Sequence, residues 1–204
     1  MYQKAIILFF FALFFLSTVS AQREGFQQYT SNGVLGQSGL VMIPTAQLAV
    51  DRAIVAGWSY IPIQATVREF SQLNNLPEFI HSARLNFLPF LELSIRFTKT
   101  KDVVELGDRS IFARVQLLKE TGKRPAVAIG AHDLFGQVPH YHSVYTVVSK
   151  HFSLKKDLIL GGHLGYGIST REEVQNEQLQ GVFGGSTLRY RFAEIGLEYD
   201  GVKT

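Results

Sequence analysis

Segment after segment of this chain alternates apolar and polar side chains with a period of two. From Leu91 to Thr98, Leu91, Leu93, Ile95 and Phe97 fall on one side, and Glu92, Ser94, Arg96 and Thr98 on the other. From Phe79 to Asn86, Phe79, His81, Ala83 and Leu85 oppose Ser82, Arg84 and Asn86. Successive side chains of a β-strand point to opposite faces, so each such segment is a strand with one apolar and one polar face. Two architectures can house that pattern. A soluble sandwich packs its apolar faces against each other, whereas an outer-membrane barrel turns them to lipid and keeps the polar faces in the lumen.

About ten strands are expected from the pattern and its turn signals. The first is Gly39–Ile43, halted by Pro44-Thr45, and the second is Ala53–Ile61, with Ile54, Ala56, Trp58 and Tyr60 on one face. The third and fourth are the two segments above, joined by a tight turn at Phe87-Leu88-Pro89-Phe90. Arg109–Lys119, Ala126–His132, Tyr141–Phe152 (weakly alternating), Leu158–Ile168, Gly181–Phe192 and Ile195–Tyr199 complete the set. Long polar loops at 64–77, 99–107, 133–140 and 169–180 alternate with short turns after Phe87, Lys119, Phe152 and Phe192. Short turns on one rim and long loops on the other are an outer-membrane pattern. Glycines inside the strands, such as Gly130, Gly161 and Gly165, relieve crowding on the inner face of a small barrel. Long helical periodicity is absent, which argues against α/β enzyme folds.

The N-terminus reads as an export signal. Lys4 precedes an apolar run from Ala5 to Leu16, and Ser17-Thr18-Val19-Ser20-Ala21 supplies small residues for cleavage after Ala21. A run of this length is too short for a transmembrane helix, which needs about 20 apolar residues. Residues 22–37 read as a polar lead-in, and 38–204 as a single barrel domain, either complete or cut short at its C-terminus. Met1–Ala21 carries one charge, Lys4, so the formal net charge falls from +3 to +2 on its removal. That balance lacks the concentrated basic face of a nucleic-acid binder. The chain holds no cysteine, so disulfides, thiolate metal sites and a lipidated N-terminal cysteine are excluded.

Signals for chemistry are sparse. There is no Gly-x-Ser-x-Gly elbow, phosphate loop or His-Glu-x-x-His. His140 and His142, two apart on a strand, would share a face, and a zinc ion there would need His132 or His163 as a further ligand; two rim histidines are the simpler reading. No metal, cofactor or catalytic residue is assigned. Arg84, Arg96, Arg114 and Arg189 are expected to face the lumen. They form either a track for an anionic polymer or, more simply, salt-bridge partners for carboxylates such as Glu92, Glu120, Asp133 and Glu198.

Several words of the sequence carry a resemblance. Gly39-Leu40-Val41-Met42-Ile43-Pro44-Thr45-Ala46 resembles the opening motif of the YjbH family, which is linked to exopolysaccharide and capsule production. Gly107-Asp108-Arg109-Ser110, Leu117-Leu118-Lys119-Glu120, Pro125 to Gly130, Asp133-Leu134-Phe135-Gly136, Ser149-Lys150 and Glu198-Tyr199-Asp200-Gly201 follow in the family's order. The resemblance covers roughly residues 36–201 and rests on Gly39, Pro44, Thr45, Asp108, Arg109, Glu120, Asp133, Gly136, Ser149, Lys150, Glu198 and Asp200. It implies a non-enzymatic outer-membrane β-barrel acting in polysaccharide export or assembly. The implied partners are outer-membrane lipid, polysaccharide and other export-system proteins. Phe112 stands where the family pattern has an acidic residue, and the chain resembles only the first part of longer, lipoprotein-like members. Its end lacks the terminal aromatic residue usual in outer-membrane barrels. The expectation is therefore an all-β, antiparallel up-and-down barrel of about ten strands behind a cleaved signal peptide. A soluble periplasmic β-sandwich that binds carbohydrate is the alternative.

Overall fold

Period-two alternation becomes nine antiparallel strands in a computed structural model, which describes residues 32–62, 77–100, 108–133, 142–169, 179–191 and 193–201. The strands are β1 (Ala53–Ile61), β2 (Glu78–Leu88), β3 (Leu91–Thr100), β4 (Asp108–Leu118), β5 (Ala126–His132), β6 (Ser143–Lys155), β7 (Leu158–Ser169), β8 (Gly181–Tyr190) and β9 (Ala193–Asp200). They form a single up-and-down sheet in chain order. The proposed signal peptide, most of the lead-in, and the greater part of the four long loops lie outside the described residues.

Connections between strands differ by rim. Residues 89–90, 119–125, 156–157 and 191–192 link strands on one rim, and 62–77, 101–107, 133–142 and 170–180 link them on the other. Register shifts at Leu85/Leu88, Gln116/Leu118 and Ser153/Lys155 all sit beside the short-turn rim. A bulge there bends the strand and sharpens its twist, which helps curl the sheet into a trough.

Two expectations need correction. Gly39–Ile43 is not a strand: only the isolated bridges Asn32–Ser38 and Gly39–Pro44 occur there, which leaves nine strands among the described residues rather than about ten. A five-residue apolar run looks like a strand by composition, but its backbone bonds turn inward. Leu40 N–H donates to the Ile43 carbonyl (3.0 Å) and Val34 N–H to that of Val41 (2.8 Å). A side chain at Gly39 would press on the Ile43 carbonyl, so this turn needs a residue without a Cβ. The second correction concerns closure. No ladder joins β1 to β9 among the described residues, so the sheet has two edges where a closed barrel was expected.

The two faces of the sheet are inverted relative to a soluble protein. Ile54, Leu164, Ile168, Ile195 and Leu197 point outward and are more than 60% exposed. On the inner face Arg84, Glu92, Arg96 and Arg114 are 3% exposed or less. Arg84, Glu92 and Arg114 are covered by the inner segment, residues 32–48, which runs through the trough. Its Leu35, Leu40, Ile43, Ala46 and Leu48 are themselves buried. Residues 32–37, read from the sequence as lead-in, belong to this same segment.

Candidate functional site

The inner wall and the segment lying on it make the candidate site. The wall has two halves. On β2–β4 it is polar and charged. Glu92 sits on β3 opposite Arg114 on β4, and Arg114 Nη2 donates to Glu92 Oε1 (2.7 Å). Arg84 Nε lies 3.9 Å from Glu92 Oε2. Ser38 of the inner segment completes the cluster. Its hydroxyl donates to Glu92 Oε2 (2.5 Å), its N–H to Oε1 (3.1 Å), and its oxygen accepts from Arg84 Nη1 (2.7 Å). A carboxylate and two guanidinium groups can be buried only when paired and hydrogen-bonded in this way.

Arg114 also holds the segment's backbone. Its Nη1 donates to the carbonyls of Ser38 (2.7 Å) and Thr45, and Nη2 to that of Gln47 (3.3 Å). Gln116 Nε2 donates to the Ala46 carbonyl (2.7 Å). From β6, Ser149 Oγ accepts from Ala46 N–H (2.9 Å) and shares a hydrogen bond with His163 Nδ1 (2.8 Å). At the far edge Glu198 on β9 accepts from Met42 N–H (3.0 and 2.9 Å) and Ile43 N–H (3.3 Å).

On β5–β8 the wall carries an apolar cluster among its polar groups. Ala126, Ala128, Tyr145, Val147 and Phe183 form one cluster with Leu40, Ile43 and Ala46 of the segment. Tyr145 lies over Gly130 and Phe183 over Gly165, where any Cβ would collide with the ring. The rings of Phe112, His132, Tyr145 and Phe183 meet edge to face, at centroid distances of 4.8, 5.0 and 6.0 Å along the row. Gln37 joins this row to the segment, donating to His132 Nε2 (2.6 Å) and accepting from the Tyr145 hydroxyl (3.1 Å). Phe112, the departure from the family's acidic pattern, is thus part of an aromatic row and carries the Arg96 guanidinium 5.6 Å above its ring.

A second polar cluster closes the short-turn rim. Glu120, just past the end of β4, accepts from His151 N–H (2.6 Å), His151 Nδ1 (2.8 Å) and Gln47 Nε2 (2.9 Å). Burial alone would raise the Glu120 carboxyl, but the His151 bonds, the His151 charge and the Gln47 bond outweigh it and hold it below its ordinary value. Lys150 donates to the carbonyls of Thr121 (2.5 Å) and Gly122 (3.1 Å), pinning the turn that carries Glu120.

Three of the four arginines singled out in the sequence, Arg84, Arg96 and Arg114, line the inner wall together. Arg189 does not join them; it pairs with Glu194 across the β8–β9 turn. The carboxylates are dispersed as salt-bridge and hydrogen-bond partners, with Glu92 on arginines, Glu120 on Lys150 and His151, and Glu198 on the segment's backbone. Asp133 lies 4.0 Å from His142 and accepts from Ile111 N–H through Oδ1 (3.3 Å). His132 pairs with Gln37 and His163 with Ser149, and among the described residues no three His, Asp or Glu side chains converge on a place for a metal ion; His140 and Gly136 lie outside the described residues. Asp108 opens β4 opposite Thr98, and Arg109 follows it with its side chain exposed. Asp200 ends β9 opposite Phe183. Pro44 closes the bridge to Gly39, and Thr45 offers its carbonyl to Arg114.

Sequence reasoning missed the roles of Ser38, Gln37, Gln47 and Gln116. Their signal was available in one respect: short polar residues placed among buried apolar ones ask for partners.

An up-and-down antiparallel sheet with an apolar outer face, a paired ionic inner wall and its own chain folded into the trough defines the class. A family model described as "Exopolysaccharide biosynthesis protein YbjH" matches residues 31–186. The chain belongs to the YjbH family, as the ordered words of the sequence implied. No curated protein and no solved structure matches it.

Proposed function

We propose that this protein is a non-enzymatic outer-membrane β-barrel component of an exopolysaccharide export or assembly system, acting as an accessory part of a larger complex. The observation that carries the reading is the inverted sheet, apolar outside and ionic inside. In water the exposed outer face would be an aggregation surface far larger than a soluble monomer tolerates; in lipid it is the lining that a spanning strand requires. Aromatic residues support this. Trp58, Tyr60 and Phe79 group near the long-loop rim, with Phe79 centroids 5.9 and 5.3 Å from Trp58 and Tyr60. Phe87, Phe90, Phe152 and Tyr190 lie near the short-turn rim. Phe79 and Phe87, eight residues apart on β2, are separated by about 26 Å along the strand, close to the height of an outer-membrane apolar band.

No helix among the described residues is long and apolar enough to cross a membrane, so on this reading strands make the crossing. Closure of the β1 and β9 edges then has to occur in the membrane, since unpaired backbone groups are not tolerated in lipid. The family membership supports the exopolysaccharide role. An accessory role, rather than a free channel, follows from a trough already filled by residues 32–48. No catalytic residue is assigned, because the inner carboxylates are spent on arginines, histidines and backbone amides.

The test is fractionation of cells expressing the full chain, with gel migration compared before and after boiling. Recovery in the outer membrane with a faster unboiled band supports the proposal. Recovery in the soluble periplasm without a band shift refutes it, and the soluble carbohydrate-binding sandwich then takes its place.

A further inference from the structure

We propose that residues 32–48 are a displaceable plug, and that its departure uncovers a polar lumen lined by Arg84, Glu92, Arg114, Gln116 and Ser149. The inference rests on the barrel reading and adds to it a closed and an open state.

The bonding pattern separates the segment from the sheet. Among the described residues its backbone–backbone hydrogen bonds are internal, from Gly33 to Gln37, Val34 to Val41, Gly36 to Gly33, Leu40 to Ile43 and Thr45 to Ser38. Its bonds to the wall run through wall side chains or through Gln37, Ser38 and Gln47. Withdrawal therefore breaks no rung of the sheet, since every ladder of β1–β9 is formed without the segment. The wall is also prepared for the loss. With Ser38 gone, Glu92 keeps Arg114 at 2.7 Å and Arg84 at 3.9 Å, so no lone buried charge is left behind. Water entering the trough would take the places of the Ser38, Thr45, Ala46 and Gln47 groups that Arg114, Gln116 and Ser149 now hold. Such a surface, rich in hydroxyl, amide and paired ionic groups, suits a hydrated polar chain.

The apolar contacts hold the resting state closed. Leu40 and Ile43 fit against Gly185, where a Cβ would lie 2.7 Å from Leu40 Cδ2 and 3.1 Å from Ile43 Cδ1. Beside this contact a cleft of about 220 Å³ opens between the plug and β8–β9, lined in part by Asn32, Val41, Gly196 and Glu198. A pull on the segment would start from this side.

The chain's lack of cysteine allows a direct test in the full-length protein in native outer membranes. The pair Ala46→Cys/Ser149→Cys, bridged by a short bis-maleimide that alkylates both thiols, locks the plug; Ile43→Asp sets a carboxylate beside Glu198 and loosens it. Swelling of proteoliposomes in small sugars is the readout, with heat-modifiability recorded for each variant. The wild type and the bridged pair should be impermeable, and Ile43→Asp should swell roughly ten-fold faster. Bridging the same cysteine pair in the Ile43→Asp background should abolish the gain. A heat-modifiable Ile43→Asp protein as tight as the wild type overturns the plug, as does a folded barrel in which the cysteine pair does not bridge. Absence of heat-modifiability in the wild type refutes the barrel reading itself, and the plug with it.

Discussion

Truncating Glu92 should damage this protein more than any other single change on the inner wall. Glu92 is 2% exposed and is the carboxylate that both Arg84 and Arg114 approach. Glu92→Ala leaves those two guanidinium groups buried beside each other and removes the acceptor of both Ser38 bonds. Deleting one partner of a buried ionic cluster costs about 3–5 kcal/mol, a large share of a typical domain's 5–15 kcal/mol or so. Urea unfolding of the refolded protein in detergent, followed through the single tryptophan, Trp58, should show the unfolding free energy falling by that amount, through a lower midpoint at unchanged slope. Glu92→Gln keeps an acceptor for Ser38 and should lose less. Glu92→Leu combined with Arg114→Met should recover only part of the loss, because the carbonyls of Ser38, Thr45 and Gln47 then lack Arg114. A Glu92→Ala loss below about 0.5 kcal/mol, the range of ordinary surface substitutions, would refute a paired, buried wall.

Glu120 carries a pH signature. Its carboxyl is held below the ordinary value of 4.5 in the folded state, so its contribution is complete above that value and is lost as pH falls through the lower folded one. Glu120→Gln should therefore lower stability at neutral pH and flatten the acid limb of a stability–pH profile; an unchanged acid limb would contradict the assignment. Gly130→Ala drives a methyl group into the Tyr145 ring and should cost about 1–3 kcal/mol by overpacking, with Gly130→Ala/Tyr145→Leu regaining part of it in the same unfolding assay. Leu164→Arg, mid-strand on the outer face and 63% exposed, should cost about 2–4 kcal/mol in bilayers and almost nothing if that face meets water.

Period-two alternation located the nine strands of the sheet but added one at Gly39–Ile43 that does not form. β5 falls at Ala126–His132 as read from the sequence, and the outward row of Leu160, Leu164, Tyr166 and Ile168 on β7 is the exposed one. Tyr141–Phe152 looked poorly alternating because Val147 and Val148 are both apolar. Val147 nevertheless faces inward, since that part of the wall receives Ala46 and Ile43 rather than water. The same cause hid the inner segment. A loop that packs inside a trough needs apolar residues at Leu40, Ile43 and Leu48, and a short apolar run by itself does not distinguish a buried turn from a strand. Arg189 shared its residue type with the inner arginines but not their depth, for it lies one residue before the end of β8, in reach of Glu194. Which carboxylate meets which arginine depended on the register between neighbouring strands, which the pattern within one strand does not encode.

Trp58 offers the most direct test of the central claim, because the outward face either meets lipid or it does not. Trp58 is the only tryptophan of the chain and is 61% exposed on the outer face of β1. Its fluorescence should be measured in proteoliposomes containing lipids brominated near the carbonyl end of their acyl chains. Blue-shifted emission that the bromines quench is the predicted result. Emission at the wavelength expected in water, unquenched by brominated lipid, would contradict the account.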